Sequence, residues 1–326
     1  MRFVNQKILD WLRVFRAHTA PATVCLVLAG YLWQIQPDFT ALIVALFAII
    51  SHWLGYGHNS LMDAAMGYDL RDPNKKHFPL VAGRIELRKA HIVIHYGMLA
   101  MIILAAAASL EGANPAMSLL GLVLWIAGGQ AYDDGLSKES KYGFIPIAVC
   151  WTGAVMWAYF LSHREIVSGA EALFLYVFVL TVYQIGWCGH MKEMEVGERS
   201  NILVRLGARV EDGVFRPGFS AAFAVFVKFL QVLLMYALVD GREWWKTAWF
   251  AGNLIFQAYV TYIHVKPKRW ERMKIIRDLV KEQIASIFYP LPLAMGVWAL
   301  PLMAFSISYF IVFNKKLWGT DLAPRV

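Results

Sequence analysis

Long apolar segments separated by short charged ones recur along the whole chain, and this pattern constrains the fold more than any other feature. A membrane-spanning helix needs about 20 consecutive, mostly apolar residues. Hydrophobic residues make up 59% of the sequence and charged residues 17%, a balance that leaves no segment for a separate soluble domain. We predict an all-α, multi-span bundle of nine transmembrane helices around a central cavity. The nine predicted spans are 20–36, 39–60, 90–110, 115–131, 144–162, 170–189, 219–239, 246–264 and 287–313.

The same pattern predicts one integral membrane domain over residues 1–326. The amphipathic residues 1–19 predict an interfacial helix, because they lack the uninterrupted apolar core of a cleavable signal peptide. Residues 20–313 hold the nine spans, and residues 314–326 are expected to form a C-terminal tail. The ninth span contains three prolines, so we expect it to be kinked.

The 31 Lys and Arg residues are distributed unevenly about the predicted spans. Twenty-four of the 31 lie in the N-terminal segment and in the loops after even-numbered spans, and six lie on the opposite side. Cytoplasmic loops of membrane proteins carry an excess of basic residues. This distribution predicts a cytoplasmic N-terminus and cytoplasmic even-numbered loops. It also accounts for the net charge of +8 without a nucleic-acid partner.

The segment Tyr56–Lys89, called here the first acidic block, places acids and bases together where the second span ends. Asn59 and Asp63 are four residues apart and share a helix face, and Asp69 and Asp72 follow them. Carboxylate and amide oxygens suit Mg²⁺, while neighbouring Lys and Arg side chains neutralise phosphate oxygens. The block therefore indicates a site for magnesium and a diphosphate. The alternative is a loop whose charges pair with one another.

A second acidic block, Lys192–Gly207, follows the sixth span and contains Glu193, Glu195 and Glu198. Positive-inside topology predicts the bases of both blocks but not their acids. Two polar blocks at corresponding positions of two halves indicate one shared site. Ionisable residues on an apolar helix are costly, which favours a functional role for them.

The polar positions of the first block resemble a signature of the UbiA superfamily of intramembrane prenyltransferases, which have nine transmembrane helices. Asn59, Asp63 and either Asp69 or Asp72 match the acidic and amide positions, and KKHFPLVAGRI (Lys75–Ile85) matches the end of the motif.

The rest of the chain resembles the same family in the same order. The segment YDDGLSKESKYGFIP (Tyr132–Pro146) is similar to the family's Tyr-containing loop after the fourth span. The second acidic block occupies the place of the family's second acidic motif. The segment FRAHT (Phe15–Thr19) resembles the Arg-containing start of the first helix, so the resemblance covers essentially the whole chain.

This resemblance implies Mg²⁺-dependent transfer of a polyprenyl group from an allylic prenyl diphosphate to a lipophilic or aromatic acceptor in the membrane, with release of diphosphate. The implied metal ligands are Asn59, Asp63, Asp69, Asp72, Glu193, Glu195 and Glu198. The implied diphosphate contacts are Lys76, Arg84, Lys138, Lys141, Lys192 and Arg199. The implied catalytic residues are Asp63, Tyr132, Lys138 and His190, and Arg16 and His18 are expected to contact the acceptor.

The sequence also departs from the family pattern. Ser60 stands where the first motif usually has an acid, and Asp63 and Asp69 are six residues apart rather than four. The second block has glutamates and no aspartate. These departures leave open which of Asp69 and Asp72 binds metal, and likewise which of the glutamates does.

Three alternatives stay open at this stage. The first two are a terpene cyclase and a transferase that uses a polyprenyl phosphate, both on the same scaffold. The third is a transporter, because paired polar motifs on broken helices also occur in transporters. Lys228, within the seventh span, is expected either to line the cavity or to reach the membrane surface.

Overall fold

The computed structural model describes residues 5–136, 139–192, 194, 201–239, 241 and 243–320. Helices dominate this part of the chain, as the apolar segments predict. The first half contains α1 (Gln6–Val14), α2 (Ala20–Tyr31), α3 (Phe39–Ala65), α4 (Tyr68–Arg71), α5 (Leu87–Glu111), α6 (Pro115–Ala131) and α7 (Phe144–Ser162). The second half contains α8 (Ala170–Thr181), α9 (His190–Lys192), α10 (Ile202–Arg205), α11 (Ser220–Ala237), α12 (Trp244–Val265), α13 (Arg272–Phe288), α14 (Pro290–Met295) and α15 (Ala299–Trp318).

Seven helical stretches of the described chain are long and apolar enough to cross a membrane, so membrane helices are confirmed but the count of nine is not. The first predicted span forms only the 12-residue α2, because the chain turns before the cap of α3 at Asp38. The eighth predicted span lies on α12, which is not among the seven. The seven stretches are Phe39–Ala65, Leu87–Glu111, Pro115–Leu136, Phe144–Ser162, Ala170–Lys192, Ser220–Ala237 and Arg272–Trp318.

The predicted kink in the ninth span is confirmed. α13 ends at Phe288, and Pro290 begins the short helix α14. Gly296 then adopts a positive φ of 57°, which an α-helix does not accommodate, and α15 begins at Ala299.

Close helix packing in the first half depends on small residues. α6 and α7 approach so closely that a Cβ at Gly121 would lie 2.5 Å from the backbone nitrogen of Trp157. A Cβ at Gly153 would lie 2.5 Å from the nitrogen of Trp125. Small residues let backbones approach in membrane bundles, where packing rather than the hydrophobic effect drives association.

A small antiparallel sheet departs from the all-α prediction. β1 (Arg209–Glu211) pairs with β2 (Val214–Arg216), which pairs in turn with β3 (Lys268–Arg269). Asp212 and Gly213, with φ of 50° and 71°, form the turn between β1 and β2. An Asp-Gly pair is a strong signal for a two-residue hairpin, and the apolar pattern of the spans obscured it. The sheet joins the connection after α10 to the connection after α12.

The helix α1 is attached to the rest of the protein by charged side chains. Asp10, which is 3% exposed, accepts hydrogen bonds from Arg13 Nη1 at 2.8 Å and from Arg84 Nε at 2.9 Å. Arg13 Nε also donates to the Leu317 carbonyl at 3.0 Å. Burial opposes ionisation of Asp10, but the hydrogen bonds from Arg84 and Arg13 outweigh it and lower the pKa of this carboxyl.

Lys228 on α11 is buried inside the protein, and the structure pairs it with Glu282 of α13 rather than placing it at either of its expected locations. Its Nζ also donates to Gln231 Oε1 at 2.8 Å and to Gln257 Oε1 at 2.7 Å. The two amide nitrogens in turn donate to Ser286 Oγ. These five residues, called the Lys228 network, join α11, α12 and α13.

We expect Lys228→Met to lower the free energy of unfolding by about 3–5 kcal/mol, because it leaves the Glu282 carboxylate buried without its cation. The double variant Lys228→Met/Glu282→Met removes both charges and should be more stable than either single variant. Thermal unfolding in detergent micelles measures the difference. A double variant whose loss equals the sum of the single losses would contradict the ion pair.

We also expect Asp10→Asn to lower the free energy of unfolding by about 1–3 kcal/mol at neutral pH, through weaker hydrogen bonds with Arg13 and Arg84. Because the pKa of Asp10 is lowered in the folded protein, its stabilisation is present above the ordinary value of 3.8 and is lost as the pH falls through the folded pKa. Wild type and Asp10→Asn should therefore converge in thermal stability on acidification.

Glu86, which directly precedes α5, has an exposed carboxyl 3.3 Å from Lys89 Nζ and provides the control for this measurement. Glu86→Gln should change stability by no more than about 0.5 kcal/mol. An equal effect of the two substitutions at neutral pH would refute the role of Asp10.

Candidate active site

A cavity of about 270 Å³ lies between the helices, at the level where α3, α6 and α8 end. Aromatic side chains form much of its wall, including Trp125, Phe144, Trp151 and Phe310. Polar side chains also line the cavity, and together they are called here the polar wall. They include Arg16, His18, Asn59, Tyr132, Asp133, His190 and Lys192.

The side chain of Asn59 is held in a defined orientation at this polar wall. Its Nδ2 donates to Asp133 Oδ1 at 3.1 Å, and the other carboxylate oxygen of Asp133 accepts from His58 Nδ1 at 2.7 Å. A carboxylate only accepts, so the amide nitrogen of Asn59 has to face Asp133 and its oxygen has to face away. That oxygen accepts a long hydrogen bond of 3.5 Å from Arg16 Nη2. The amide oxygen is therefore turned toward a cation.

Arg16 has an unusual backbone and an incompletely bonded side chain. It adopts the left-handed conformation at φ 45° and ψ 43°, which costs a residue other than glycine about 1–3 kcal/mol and recurs at functional sites. Its guanidinium lies over the ring of Tyr56, with 5.2 Å between carbon and ring centroid. Its Nε is buried without a hydrogen-bond partner in the described part of the chain. Arg16 thus presents a cation with spare donor capacity to the cavity.

Next to Arg16 lies a second group of polar side chains, from the start of α2 and from α3. His52 contacts Thr19 Oγ1 at 3.0 Å through Nε2 and Thr23 Oγ1 at 2.5 Å through Nδ1. His18 accepts from Trp318 Nε1 at 3.3 Å, while its Nε2 has no partner among the described residues. Burial, together with Arg16 and His52, lowers the pKa of His18 to about 3. The imidazole of His18 is therefore neutral at physiological pH.

Two π-helical segments carry side chains to the cavity. The segment Tyr132–Leu136 continues α6 and is kinked at Asp134 and Gly135, whose backbone angles are not helical, and Val182–Gly189 continues α8. π-helical turns are rare and occur mostly at functional sites. The first segment brings Tyr132 and Asp133 to the cavity wall, and the second leads into His190 and Lys192.

Six of the sequence-predicted site residues line the cavity. They are Arg16, His18, Asn59, Tyr132, His190 and Lys192. The ring nitrogen Nδ1 of His190 contacts the Gly186 carbonyl at 3.0 Å, which fixes the ring against the π-helical turn. The structure thus brings together the predicted metal ligand on α3, the predicted acceptor contacts near α2 and predicted residues after spans 4 and 6.

The three described carboxylates of the first acidic block, Asp63, Asp69 and Asp72, lie outside the set that lines the cavity. Asp63 is 6% exposed and lies one turn further along α3. Asp69 pairs with Lys75 Nζ at 2.5 Å. Asp72 accepts from the backbone of Asn74 at 2.9 Å and lies 3.9 Å from Arg272.

Three residues that are predicted to contact the diphosphate also lie outside the set that lines the cavity. Arg84 is bonded to Asp10, as described above. Lys76 is exposed, and Lys141 Nζ lies 4.8 Å from the ring centroid of Tyr142. Their roles stay predictions. Five further predicted residues, Lys138, Glu193, Glu195, Glu198 and Arg199, lie outside the described residues.

The donors at this site fit Mg²⁺ in chemical type, although the described residues hold no group of three or more His, Cys, Asp or Glu side chains arranged to bind a metal. The Asn59 oxygen faces away from Asp133, and Asp63 follows on the same helix. Amide and carboxylate oxygens are the ligands that a hard cation prefers. The glutamates of the second acidic block, which would complete such a set, lie among the residues that the structure does not describe.

Asp133 and His58 had no role predicted from the sequence. The available signal was the acid that directly follows Tyr132 in the YDDG segment. It could not be distinguished from Asp134, which the structure places in contact with Gln130 at 2.7 Å, on the exposed side of the segment. The two acids differ in their contacts, because α3 packs against the end of α6 and brings Asn59 and His58 to Asp133.

Solved structures with the same fold cover most of the chain. A structure described as digeranylgeranylglyceryl phosphate synthase is 17% identical, with 90% of this chain and 100% of that chain aligned and a TM-score of 0.63. A UbiA homologue from Archaeoglobus fulgidus bound to DMAPP and Mg²⁺ is 14% identical, with 90% and 99% aligned and a TM-score of 0.63.

A UbiA homologue from Aeropyrum pernix K1, solved in the apo form, is 15% identical, with 91% and 98% aligned and a TM-score of 0.58. At these identities the likeness shows a shared fold. A search of curated protein sequences finds no match.

The family model described as the UbiA prenyltransferase family matches residues 19–280. This range contains α2, α3, both π-helical segments and most of α13. Together with the long apolar helices, it identifies an integral membrane protein. The chain belongs to the UbiA prenyltransferase family.

Proposed function

We propose that this protein transfers a prenyl group from an allylic prenyl diphosphate to a lipophilic or aromatic acceptor within the membrane, and releases diphosphate. Family membership supports this proposal. So do the homologue structures from Archaeoglobus fulgidus, which are bound to DMAPP or GPP together with Mg²⁺. The observation that carries the proposal is a cavity whose wall combines aromatic side chains with a fixed amide oxygen at Asn59.

The diphosphate is proposed to bind at the polar wall. Lys192 lines the cavity at the start of the second acidic block, where its ammonium group can balance the charge of the leaving group. Lys138 and Arg199 are proposed as further contacts. A diphosphate at this wall would face the side of Asn59 that Asp133 leaves free.

Asn59 and Asp63 are proposed to hold Mg²⁺ from α3, together with glutamates of the second acidic block. When bound, Mg²⁺ polarises phosphoryl oxygens and stabilises the departing diphosphate. Asp133 is proposed to keep the side-chain amide of Asn59 from rotating. The carboxylate of Asp133 can accept a hydrogen bond from the amide nitrogen of Asn59 but has no proton to give to the amide oxygen.

The allylic carbon of the donor gains positive charge as its bond to oxygen breaks. Aromatic faces stabilise such charge, and the cavity wall supplies Trp125, Phe144, Trp151 and Tyr132. The same side chains exclude water, which would otherwise capture the cation.

The polar head of the acceptor is proposed to bind at Arg16 and His18. Arg16 has a buried Nε without a partner among the described residues, and His18 offers a neutral imidazole with a similarly unpartnered Nε2. Because His18 Nδ1 accepts from Trp318, the Nε2 of the neutral ring is the donor, and a group that accepts from both Arg16 Nε and His18 Nε2 would satisfy both. The distribution of basic residues supports a cytoplasmic location for the N-terminus and for this site.

We expect Asp63→Asn to reduce Mg²⁺-dependent release of diphosphate from labelled geranyl diphosphate by at least about 10²-fold, because the amide cannot replace the carboxylate charge at a metal site. The assay uses purified protein in detergent with a membrane extract as the source of acceptor. A fully active Asp63→Asn protein would refute the proposed metal site. Wild-type protein that releases no diphosphate from any allylic donor would refute the proposed function.

We expect Asp133→Asn to lower kcat/KM by about 10–100-fold, the usual cost of losing a partner that orients a metal ligand. The Asn59 amide would then be free to turn its nitrogen toward the cavity. Asp134→Asn is the matched control, since it changes the adjacent, exposed acid on the same segment. Equal activity of the two variants would show that Asp133 does not position Asn59.

A further inference from the structure

The second π-helical segment, Val182–Gly189, connects the apolar helix α8 to α9, whose His190 and Lys192 line the cavity. A π-helical turn closes its backbone hydrogen bonds over five residues rather than four, so it holds one residue more than an α-helical turn. Such turns are rare, and contacts with the surrounding helices have to hold this one in place. The contacts of the segment therefore determine the direction of His190 and Lys192.

Tyr183, near the start of this segment, contacts the Lys228 network. The ammonium group of Lys228 lies over the ring of Tyr183, with 4.0 Å between Nζ and the ring centroid. A cation over an aromatic face is attracted to it, most strongly where water is excluded. The hydroxyl of Tyr183 also contacts His264 Nδ1 of α12 at 2.9 Å. The completely buried ring is thus fixed on its face by Lys228 and at its hydroxyl by α12.

Gln184, the next residue, contacts the other member of the ion pair. Oε1 of Glu282 accepts from Lys228 Nζ and from Ser286 Oγ. Its Oε2 accepts from Gln184 Nε2 at 3.5 Å. Gln184 lines the cavity, whereas Glu282 is completely buried outside the lining set. The ion pair therefore contacts the π-helical segment through its cation at Tyr183 and through its anion at Gln184.

Helix packing alone does not explain this ion pair. The desolvation of two buried charges offsets their attraction, and apolar residues of similar volume often stabilise a protein as well or better. Ionisable residues inside membrane helices are costly and usually have a function. The contacts of Lys228 and Glu282 with the π-helical segment indicate what that function is.

We propose that Lys228 and Glu282 are positioning residues, whose contacts with the π-helical segment hold the register that directs Lys192 into the cavity. This inference rests on the proposed function, in which Lys192 contacts the diphosphate. Without these contacts the segment would relax to α-helix, with one residue fewer in the turn. Each later residue would then shift by one position relative to α8, which is about 100° around the axis at 3.6 residues per turn. Lys192 would turn away from the diphosphate.

The test measures the Kd of geranyl S-thiolodiphosphate, a donor analogue with sulfur in the bridging position, for the full-length protein in detergent with Mg²⁺. The variant Lys228→Met/Glu282→Met removes both buried charges together. We expect its Kd to be at least about tenfold higher than that of the wild type, because a hydrogen bond to a charged group is worth about that factor. Each Kd is measured well below the unfolding temperature of the variant.

A double-mutant cycle with Lys192→Met separates positioning from a general loosening of the bundle. Lys192→Met alone should raise Kd at least about tenfold. If the ion pair acts by directing Lys192, then adding Lys228→Met/Glu282→Met to it should change Kd by less than about twofold. Independent effects would instead multiply in the combined variant, and that result would overturn the inference.

Lys281→Met is the matched control. Lys281 directly precedes Glu282 on α13, and its exposed ammonium group lies 3.3 Å from Asp278. The same substitution there should leave Kd within about twofold of the wild type, since surface ion pairs contribute little. A rise in Kd equal to that of Lys228→Met/Glu282→Met would overturn the inference.

If Lys228→Met/Glu282→Met does not fold, Tyr183→Leu/Gln184→Leu takes its place in the cycle. This variant removes both contacts from the side of the π-helical segment and leaves the ion pair intact. The same rise in Kd, absent in the Lys192→Met background, is expected. Multiplied effects would again overturn the inference.

The failure of this inference differs from the failure of the proposed function. An unchanged Kd in Lys228→Met/Glu282→Met or in Lys192→Met would overturn the inference and leave prenyl transfer unaffected. A wild type that binds neither the geranyl analogue nor its farnesyl and geranylgeranyl counterparts in the presence of Mg²⁺ would refute the proposed function.

Discussion

A charge buried inside a membrane bundle has to be paired, and the ion pair between Lys228 and Glu282 meets this constraint for the second half of the protein. In the Lys228 network, the ammonium group uses its three N–H donors in hydrogen bonds to residues of α11, α12 and α13. The network also reaches the cavity, because Gln184 of the second π-helical segment donates to Glu282 Oε2 at 3.5 Å. The wall that carries His190 and Lys192 is thus attached to a fixed polar core.

The polar wall of the cavity differs from the Lys228 network, because some of its buried polar groups have no hydrogen-bond partner among the described residues. Asp133 accepts from both Asn59 Nδ2 and His58 Nδ1, yet Arg16 Nε and His18 Nε2 remain buried without partners in the described part of the chain. An unsatisfied buried donor costs about 1–3 kcal/mol, so such groups persist where something else satisfies them. The Lys228 network joins helices, whereas the two unpartnered nitrogens at the cavity support the proposed binding of an acceptor there.

The structural features that depend on periodicity and composition could be predicted from the sequence. The membrane helices, the kink at the Pro290 region and the shared helix face of Asn59 and Asp63 all follow from local patterns. Tertiary contacts decided the rest. The charge of Lys228 is paired by Glu282, which lies 54 residues away in sequence. The role of Asp133 depends on where α3 meets the end of α6, and no local pattern encodes that contact.

The departure at Ser60 has a physical explanation in the docking of α1. Ser60 is 1% exposed, and its Oγ donates to the Val14 carbonyl at 3.1 Å. An ionised carboxylate at this position would place an acceptor against an acceptor in a buried place, a contact that costs free energy without a proton between them. Asp10 likewise takes Arg84 as a partner for α1. The N-terminal helix therefore uses two positions of the first acidic block as its docking surface. Under the proposed function, these two positions serve the docking of α1, and Asn59, Asp63 and the second acidic block are left as the proposed metal ligands.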